Sequence, residues 1–103
     1  MENVVEKLNE NLQVIYRRVV DADKALDQLQ QQGKAKHSQI FADDAGFAQT
    51  SNRFQPYLEE LAGNVAKLQT QSEQEAQKTL VLVVKQMESM FVTLNNLTNI
   101  LSK

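Results

Sequence analysis

The sequence predicts an all-α fold, an antiparallel bundle of three long helical segments whose middle segment is broken or kinked between Gly46 and Pro56. Two observations lead to this fold class. Apolar residues in the first and last thirds of the chain recur at alternating steps of three and four, which is the spacing of helices that pack lengthwise. The connections between the segments are short, and short loops make neighbouring helices antiparallel.

The first segment extends from about residue 3 to residue 31. At roughly 1.5 Å per residue, it predicts a helix about 43 Å long. Its apolar seam comprises Val5, Leu8, Leu12, Ile15, Val19, Ala22, Leu26 and Leu29. Gly33 then provides a natural C-terminal cap, and a polar connection with Lys34, Lys36 and His37 follows.

The last segment repeats this pattern and has a recognisable start. Ser72 and Glu75 fit a capping box, in which the two side chains satisfy free amides at a helix N-terminus. The seam comprises Ala76, Leu80, Val83, Met87, Met90, Leu94, Leu97 and Leu101. Val84 and Phe91 flank this seam, and a stripe wider than one seam contacts two neighbours, as in a bundle.

The middle segment is irregular, although it too has a seam. The seam comprises Phe47, Phe54, Leu58, Leu61, Val65 and Leu68. Proline kinks a helix interior but is tolerated in a first turn. Pro56 therefore indicates either a helix that begins near residues 52–55 or a helix from about Ser38 that bends there. We expect a short helix near residues 38–49, a break, and then a firm helix to about Gln69.

Length and composition favour one domain that covers residues 1–103. The chain has no cysteine, which excludes disulfides and thiolate metal sites. Its first residues lack the apolar run of a secretory signal. No stretch approaches the roughly 20 apolar residues that a membrane span needs. We therefore expect a cytoplasmic protein that does not bind membranes.

The polar residues form no pattern typical of a catalytic, cofactor-binding or metal-binding site. His37 is the only histidine, which excludes a Ser-His-Asp triad and a two-histidine metal site. Asp43 with Asp44 and Glu59 with Glu60 are adjacent pairs, and adjacent residues on a helix do not face each other. The glycine-rich phosphate loops are absent. We therefore expect a protein that is not an enzyme and works by binding other macromolecules.

Arginines provide the candidate partner-binding residues, because guanidinium groups pair well with carboxylates and phosphates. Arg17 and Arg18 adjoin Tyr16 on the outer side of the first helix, and Arg53 precedes Phe54 at the predicted break. An arginine beside aromatic residues at a helix break is suited to an acidic peptide tail. The alternative is a solvated face whose charges pair along the helix. The candidate residues are Arg17, Arg18, Arg53 and Tyr57.

Four features follow one another in a distinctive order: a leucine-rich opening before Arg17 and Arg18, an aromatic element at residues 41–47, a stretch at residues 57–68, and a last helix around Gln86. The third begins with tyrosine and leucine and continues with Glu60 and Asn64. This order resembles the N-terminal helical domain of the primosomal replication protein PriC family. The resemblance extends over most of the chain, and its motifs are moderately specific.

The resemblance implies a role in DNA replication restart, through contacts with primosome components such as the replicative helicase or the tail of single-strand-binding protein. The chain departs from the family in two ways. It has Asp43 and Asp44 where the family's aromatic element contains arginine, and it lacks the basic C-terminal part. No DNA-contact residue is therefore carried over. The net charge of -2, from 11 basic and 13 acidic residues, also argues against direct binding of single-stranded DNA, since nucleic-acid binders carry a positive excess or stripe.

Two other functions remain open from the residues alone. One is an unrelated helical adaptor, such as an export chaperone or a phage-encoded partner protein, and the other is a self-associating structural bundle. A restart domain is expected to gather Arg17, Arg18 and Arg53, with Lys34 and Lys36, into a patch for an acidic tail. An export chaperone is expected to present a long apolar groove, and a self-associating bundle has a concentration-dependent mass.

Overall fold

The protein is described by a computed structural model over residues 2–33 and 41–101. This part of the chain is all-helical and contains no strand, as the sequence predicts. It consists of α1 (Glu2–Gln31), a short 3-10 helix (Asp43–Ala45), α2 (Gln55–Lys67) and α3 (Glu73–Leu101). The start of α2 lies beside the C-terminal part of α1, whereas the start of α3 lies beside the start of α1. Hence α2 is antiparallel to both long helices.

The core is formed by the predicted seams, which face one another inside an elongated molecule of 48 × 23 × 17 Å. Every seam position of α1 is buried except Leu12 and Leu29, which are partly buried. In α3 most seam positions are buried, but Leu101 is exposed. The outer faces carry charged side chains, and none of the helices in the described ranges is apolar over enough of its length to cross a membrane.

The prediction for the middle segment is partly wrong. Residues 41–49 form a 3-10 turn and irregular chain instead of a helix, and residues 38–40 lie outside the described residues. Gly46 explains the break, because its φ of 94° is left-handed and cannot continue a right-handed helix. The start of α2 follows the first alternative, with Pro56 in the first turn. The middle helix is only 13 residues long, so α2 covers less than half the length of the α1–α3 pair.

The glycine cap predicted after α1 and the serine half of the capping box predicted before α3 are confirmed. The backbone N–H of Glu75 donates to the Ser72 hydroxyl at 3.3 Å, which satisfies one free amide at the start of α3. Gly33 has a φ of 71°, and its N–H donates to the carbonyl of Gln30 at 3.0 Å just after the end of α1. These local signals set helix ends in agreement with the seams.

The start of α2 is capped by a side chain of another helix. The backbone N–H groups of Phe54 and Gln55 donate to the Asp23 carboxylate of α1, at 2.6 and 3.0 Å. A carboxylate at a helix N-terminus satisfies free amides and interacts favourably with the helix dipole. Asp23 therefore fixes α2 against α1 as well as starting it.

We expect Asp23→Ala to lower the free energy of unfolding by about 1–2 kcal/mol, the usual effect of losing an N-terminal cap. Urea unfolding followed by circular dichroism measures this change. Glu10→Ala is the matched control, because Glu10 is an exposed carboxylate on the same helix and surface substitutions usually change stability by less than about 0.5 kcal/mol. Equal stability of the two variants would contradict the capping role.

Candidate functional site

A buried polar network holds the irregular chain at residues 45–49 against α2 and α3. Gln86 of α3 is fully buried, and its amide donates to the Gly46 carbonyl and to the Glu60 carboxylate, both at 3.0 Å. Its carbonyl accepts from the Asn64 amide at 3.0 Å. Glu60 also accepts from the backbone N–H of Ala48 at 2.8 Å. Side chains thus take the place of the helical hydrogen bonds that this stretch does not make.

The predicted site residue Tyr57 lies in the interior, with only 1% of its surface exposed. Its ring contacts those of Phe41 and Phe47, with centroids 4.4 and 4.9 Å apart. Its hydroxyl accepts from the backbone N–H of Ser51 at 2.6 Å and is 3.2 Å from the Ser51 carbonyl, to which it donates. Tyr57 therefore packs residues 41–51 onto α2 and offers no surface to a partner.

Arg53 also has an internal role. Its guanidinium contacts Asp27 of α1 at 2.7 Å, and Nη2 donates to the side-chain carbonyl of Gln30. A further nitrogen, Nη1, donates to the Asn52 carbonyl at 2.8 Å. With 21% of its side chain exposed, Arg53 joins the residues before α2 to the C-terminal part of α1. Its interactions within the chain leave less of its hydrogen-bonding capacity for a ligand.

Arg17 and Arg18 lie on different sides of α1. Arg18 donates to the Asn95 side chain of α3 at 2.9 Å, whereas Arg17 lines a groove between α1 and α2. Arg53 contacts Asp27, ten residues and about 15 Å further along α1 than Arg17. The three arginines therefore do not form the patch that the sequence analysis expected of a restart domain, so that expectation is wrong. Lys34 and Lys36 lie outside the described residues.

A groove between α1 and α2 lies beside Arg17. It has a volume of about 650 Å³ and is lined by Asn9, Leu12, Gln13, Tyr16, Arg17, Leu58 and Ala62. Leu58 is buried and Leu12 half-buried, so the inner wall is apolar. Tyr16 exposes 55% of its surface, and Arg17 is exposed and makes no ion pair with any of the described residues. This groove, from Asn9 to Arg17 on α1 and from Leu58 to Ala62 on α2, is called the Tyr16 groove below.

The Tyr16 groove is continuous with an acidic surface. A second concave region shares Asn9 and Gln13 with it and extends towards the N-terminus of α1, where Glu6 and Glu10 line it. The charge of the exposed side chains therefore changes sign along one side of α1, from negative at Glu6 and Glu10 to positive at Arg17. An anionic ligand is attracted to the Arg17 end and repelled from the other.

The sequence placed Arg17 next to Tyr16 but gave no sign that Leu58 and Ala62 of α2 lie beside them. The helical spacing contains a partial signal, because Tyr16 and Leu12 are four residues apart and share one side of a helix. Which residues of α2 line the groove depends on which faces of the two helices meet, and the spacing of residues within one helix does not specify how two helices meet.

Among the residues that the structure describes, no group of three or more histidine, cysteine, aspartate or glutamate side chains is arranged to hold a metal ion. No protein-family model, curated protein or solved structure matches the chain.

Proposed function

We propose that this chain is a non-catalytic protein-binding bundle that acts in DNA replication restart, and that its Tyr16 groove receives the acidic tail of single-strand-binding protein. The resemblance of the sequence to the PriC family is the reason for proposing replication restart as the process. The observation that carries the site is the exposed pair of Tyr16 and Arg17 over an apolar wall formed by Leu12 and Leu58.

The groove's chemistry supports an acidic ligand that also carries apolar side chains. Arg17 provides a guanidinium for a carboxylate, and arginine and tyrosine are enriched among the residues that dominate binding energy at interfaces. The apolar wall buries a side chain of the ligand. Glu6 and Glu10 determine the direction in which the peptide lies in the groove, because an acidic segment that extended towards them would meet like charges.

We expect Arg17→Ala to weaken binding of the acidic C-terminal peptide of single-strand-binding protein about tenfold, since a lost charge-assisted hydrogen bond corresponds to about 1.5–3 kcal/mol. Glu10→Gln is expected to strengthen binding modestly, because it removes a repulsive charge from the same groove. Fluorescence anisotropy with labelled peptide, at fixed ionic strength, measures both changes.

Lys78→Ala is the matched control, because Lys78 is an exposed cation on α3 and does not line the Tyr16 groove. If Lys78→Ala and Arg17→Ala weaken binding equally, the attraction is unspecific and the proposed site is wrong. A parallel titration with labelled single-stranded DNA distinguishes phosphate binding, which falls steeply with salt. Absence of peptide binding would contradict the proposed partner, and a direct helicase-binding assay would then test the other primosome component.

A further inference from the structure

The side of the α1–α3 pair that faces away from α2 carries a second row of residues on each helix. In α1 this row comprises positions one residue before the core seam, among them Lys7, Asn11, Val14, Arg18 and Asp21. In α3 the corresponding row comprises positions one residue after the seam, such as Val84 and Asn95. The hydrogen bond from Arg18 to Asn95 places both rows on the same side. These two rows are called the back face below.

The back face carries exposed valines on both helices. Val14 exposes 49% of its surface, Val84 exposes 43% and Val81, on the same row of α3, exposes 72%. Valine is a poorer helix former than alanine, leucine or the long polar residues, because its branched side chain loses rotamer freedom in a helix. Val81 and Val84 are three residues apart and lie on one side of α3, which suits an apolar contact with a further helix.

The charges of the back face determine which partner fits. They comprise two cations, Lys7 and Arg18, and two anions, Asp21 and Glu88, so the face is neutral overall and does not repel a copy of itself. Around Val14 the α1 row is also self-complementary. Lys7 and Asp21 lie seven residues before and seven after Val14, and Asn11 and Arg18 lie three before and four after it.

We propose that two copies of this chain associate through their back faces, antiparallel, with a two-fold axis at Val14. A two-fold axis at residue 14 brings each residue opposite the residue equally far on the other side of Val14 in the partner copy. Lys7 then meets the carboxylate of Asp21 and the two Val14 side chains meet each other, while Asn11 and Arg18 lie one residue out of register. Opposite charges thus meet on both sides of an apolar centre, and the Tyr16 groove on the other side of α1 stays open.

The size of the face implies a weak dimer. The α1 row from residue 4 to residue 25 is about 32 Å long, and a face of this length and two helices wide buries roughly 600 Å² on each copy. Stable interfaces bury about 800 Å² per partner. We therefore expect a dissociation constant in the micromolar range, with dimers at high protein concentration and monomers at low concentration.

The test uses the absence of cysteine from the chain, which makes any introduced thiol unique. The axes of packed helices are about 8–10 Å apart, and each Cα atom lies about 2.3 Å from its helix axis. Two residues that face each other on a two-fold axis therefore have Cα atoms less than about 6 Å apart, which is within reach of a disulfide. Under mild oxidation at a concentration that favours the dimer, Val14→Cys is expected to form disulfide-linked dimers at least tenfold faster than Val20→Cys. Val20 exposes the same 49% of its surface but lies about 120° around α1 from Val14.

Charge reversal tests the register, with the dimer dissociation constant measured by sedimentation equilibrium. Lys7→Glu is expected to raise that constant about tenfold, because two attractive pairs become repulsive, and the double variant Lys7→Glu with Asp21→Lys is expected to restore it. Equal crosslinking at positions 14 and 20, a monomer at all concentrations, or no effect of Lys7→Glu would each overturn the proposal. None of these measurements depends on peptide binding, so this proposal and the proposed function fail or survive separately.

Discussion

Gln86→Ala is expected to lower the free energy of unfolding by about 3 kcal/mol. Gln86 of α3 is fully buried and hydrogen-bonds to three groups: the Gly46 carbonyl of the irregular chain, and the Glu60 carboxylate and Asn64 amide of α2. Truncation removes the partner of the buried Asn64 amide and of the partly buried Gly46 carbonyl, and each buried group left unsatisfied costs about 1–3 kcal/mol. Glu60 keeps its hydrogen bond from the Ala48 N–H. For a domain of about 100 residues the expected fall in melting temperature is about 15 °C.

Thermal unfolding followed by circular dichroism measures this effect, and Gln77→Ala is its matched control. Gln77 is a glutamine of the same helix, but it is exposed, so its truncation is expected to change stability by less than about 0.5 kcal/mol. If both variants melt together, the buried network contributes nothing and the path of residues 45–49 needs another explanation. A double-mutant cycle of Gln86 with Asn64 isolates the energy of their shared hydrogen bond.

The helices were predictable because burial on one face of a long helix imposes a spacing that the sequence displays directly. The seams of α1 and α3 have this spacing throughout, and Ser72 and Gly33 mark helix ends by local chemistry alone. The path of residues 41–51 was not predictable in the same way. It depends on Gln86, which is 40 residues from Gly46 in sequence, and no local pattern encodes a contact over that separation.

Of the predicted site residues, Arg17 alone lines the Tyr16 groove. Arg18 and Arg53 are distinguished from it by their partners, Asn95 and Asp27, which belong to distant parts of the sequence. The sequence identifies arginine as chemically suited to an acidic ligand, but only the packing decides which guanidinium a ligand can reach. Asp23 illustrates the same limit, since its capping role is visible only once α2 lies against α1.

Several residues that carry the resemblance to the PriC family lie in the interior of this chain. Glu60, Asn64 and Gln86 form the polar network, and Tyr57 packs against the phenylalanines. Motifs made of interior residues report how a chain packs, and function resides in sites placed on the fold. The proposed role in replication restart must therefore be tested at Tyr16 and Arg17, which lie at the surface.

Variants of the two tyrosines of the chain distinguish effects on stability from effects on binding. Tyr57→Ala is expected to lower the free energy of unfolding by about 4 kcal/mol, because large-to-small changes of buried aromatic residues cost about 3–5 kcal/mol. It removes the ring contacts with Phe41 and Phe47 and both hydrogen bonds to the Ser51 backbone. Tyr57→Phe retains the ring and is expected to cost about 1 kcal/mol, the usual effect of losing a hydrogen bond. Urea unfolding measures both variants.

Tyr16→Ala is the opposite case, since Tyr16 is 55% exposed and lines the Tyr16 groove. We expect its stability to stay within about 0.5 kcal/mol of the unmodified protein and its affinity for the acidic peptide to fall about tenfold, as for a tyrosine at the centre of an interface. Tyr57→Phe is expected to bind the peptide normally, because its hydroxyl is buried away from the groove. If Tyr57→Phe folds but loses peptide binding while Tyr16→Ala binds normally, the ligand reaches the aromatic cluster and the binding site lies beside α2 at residues 41–51.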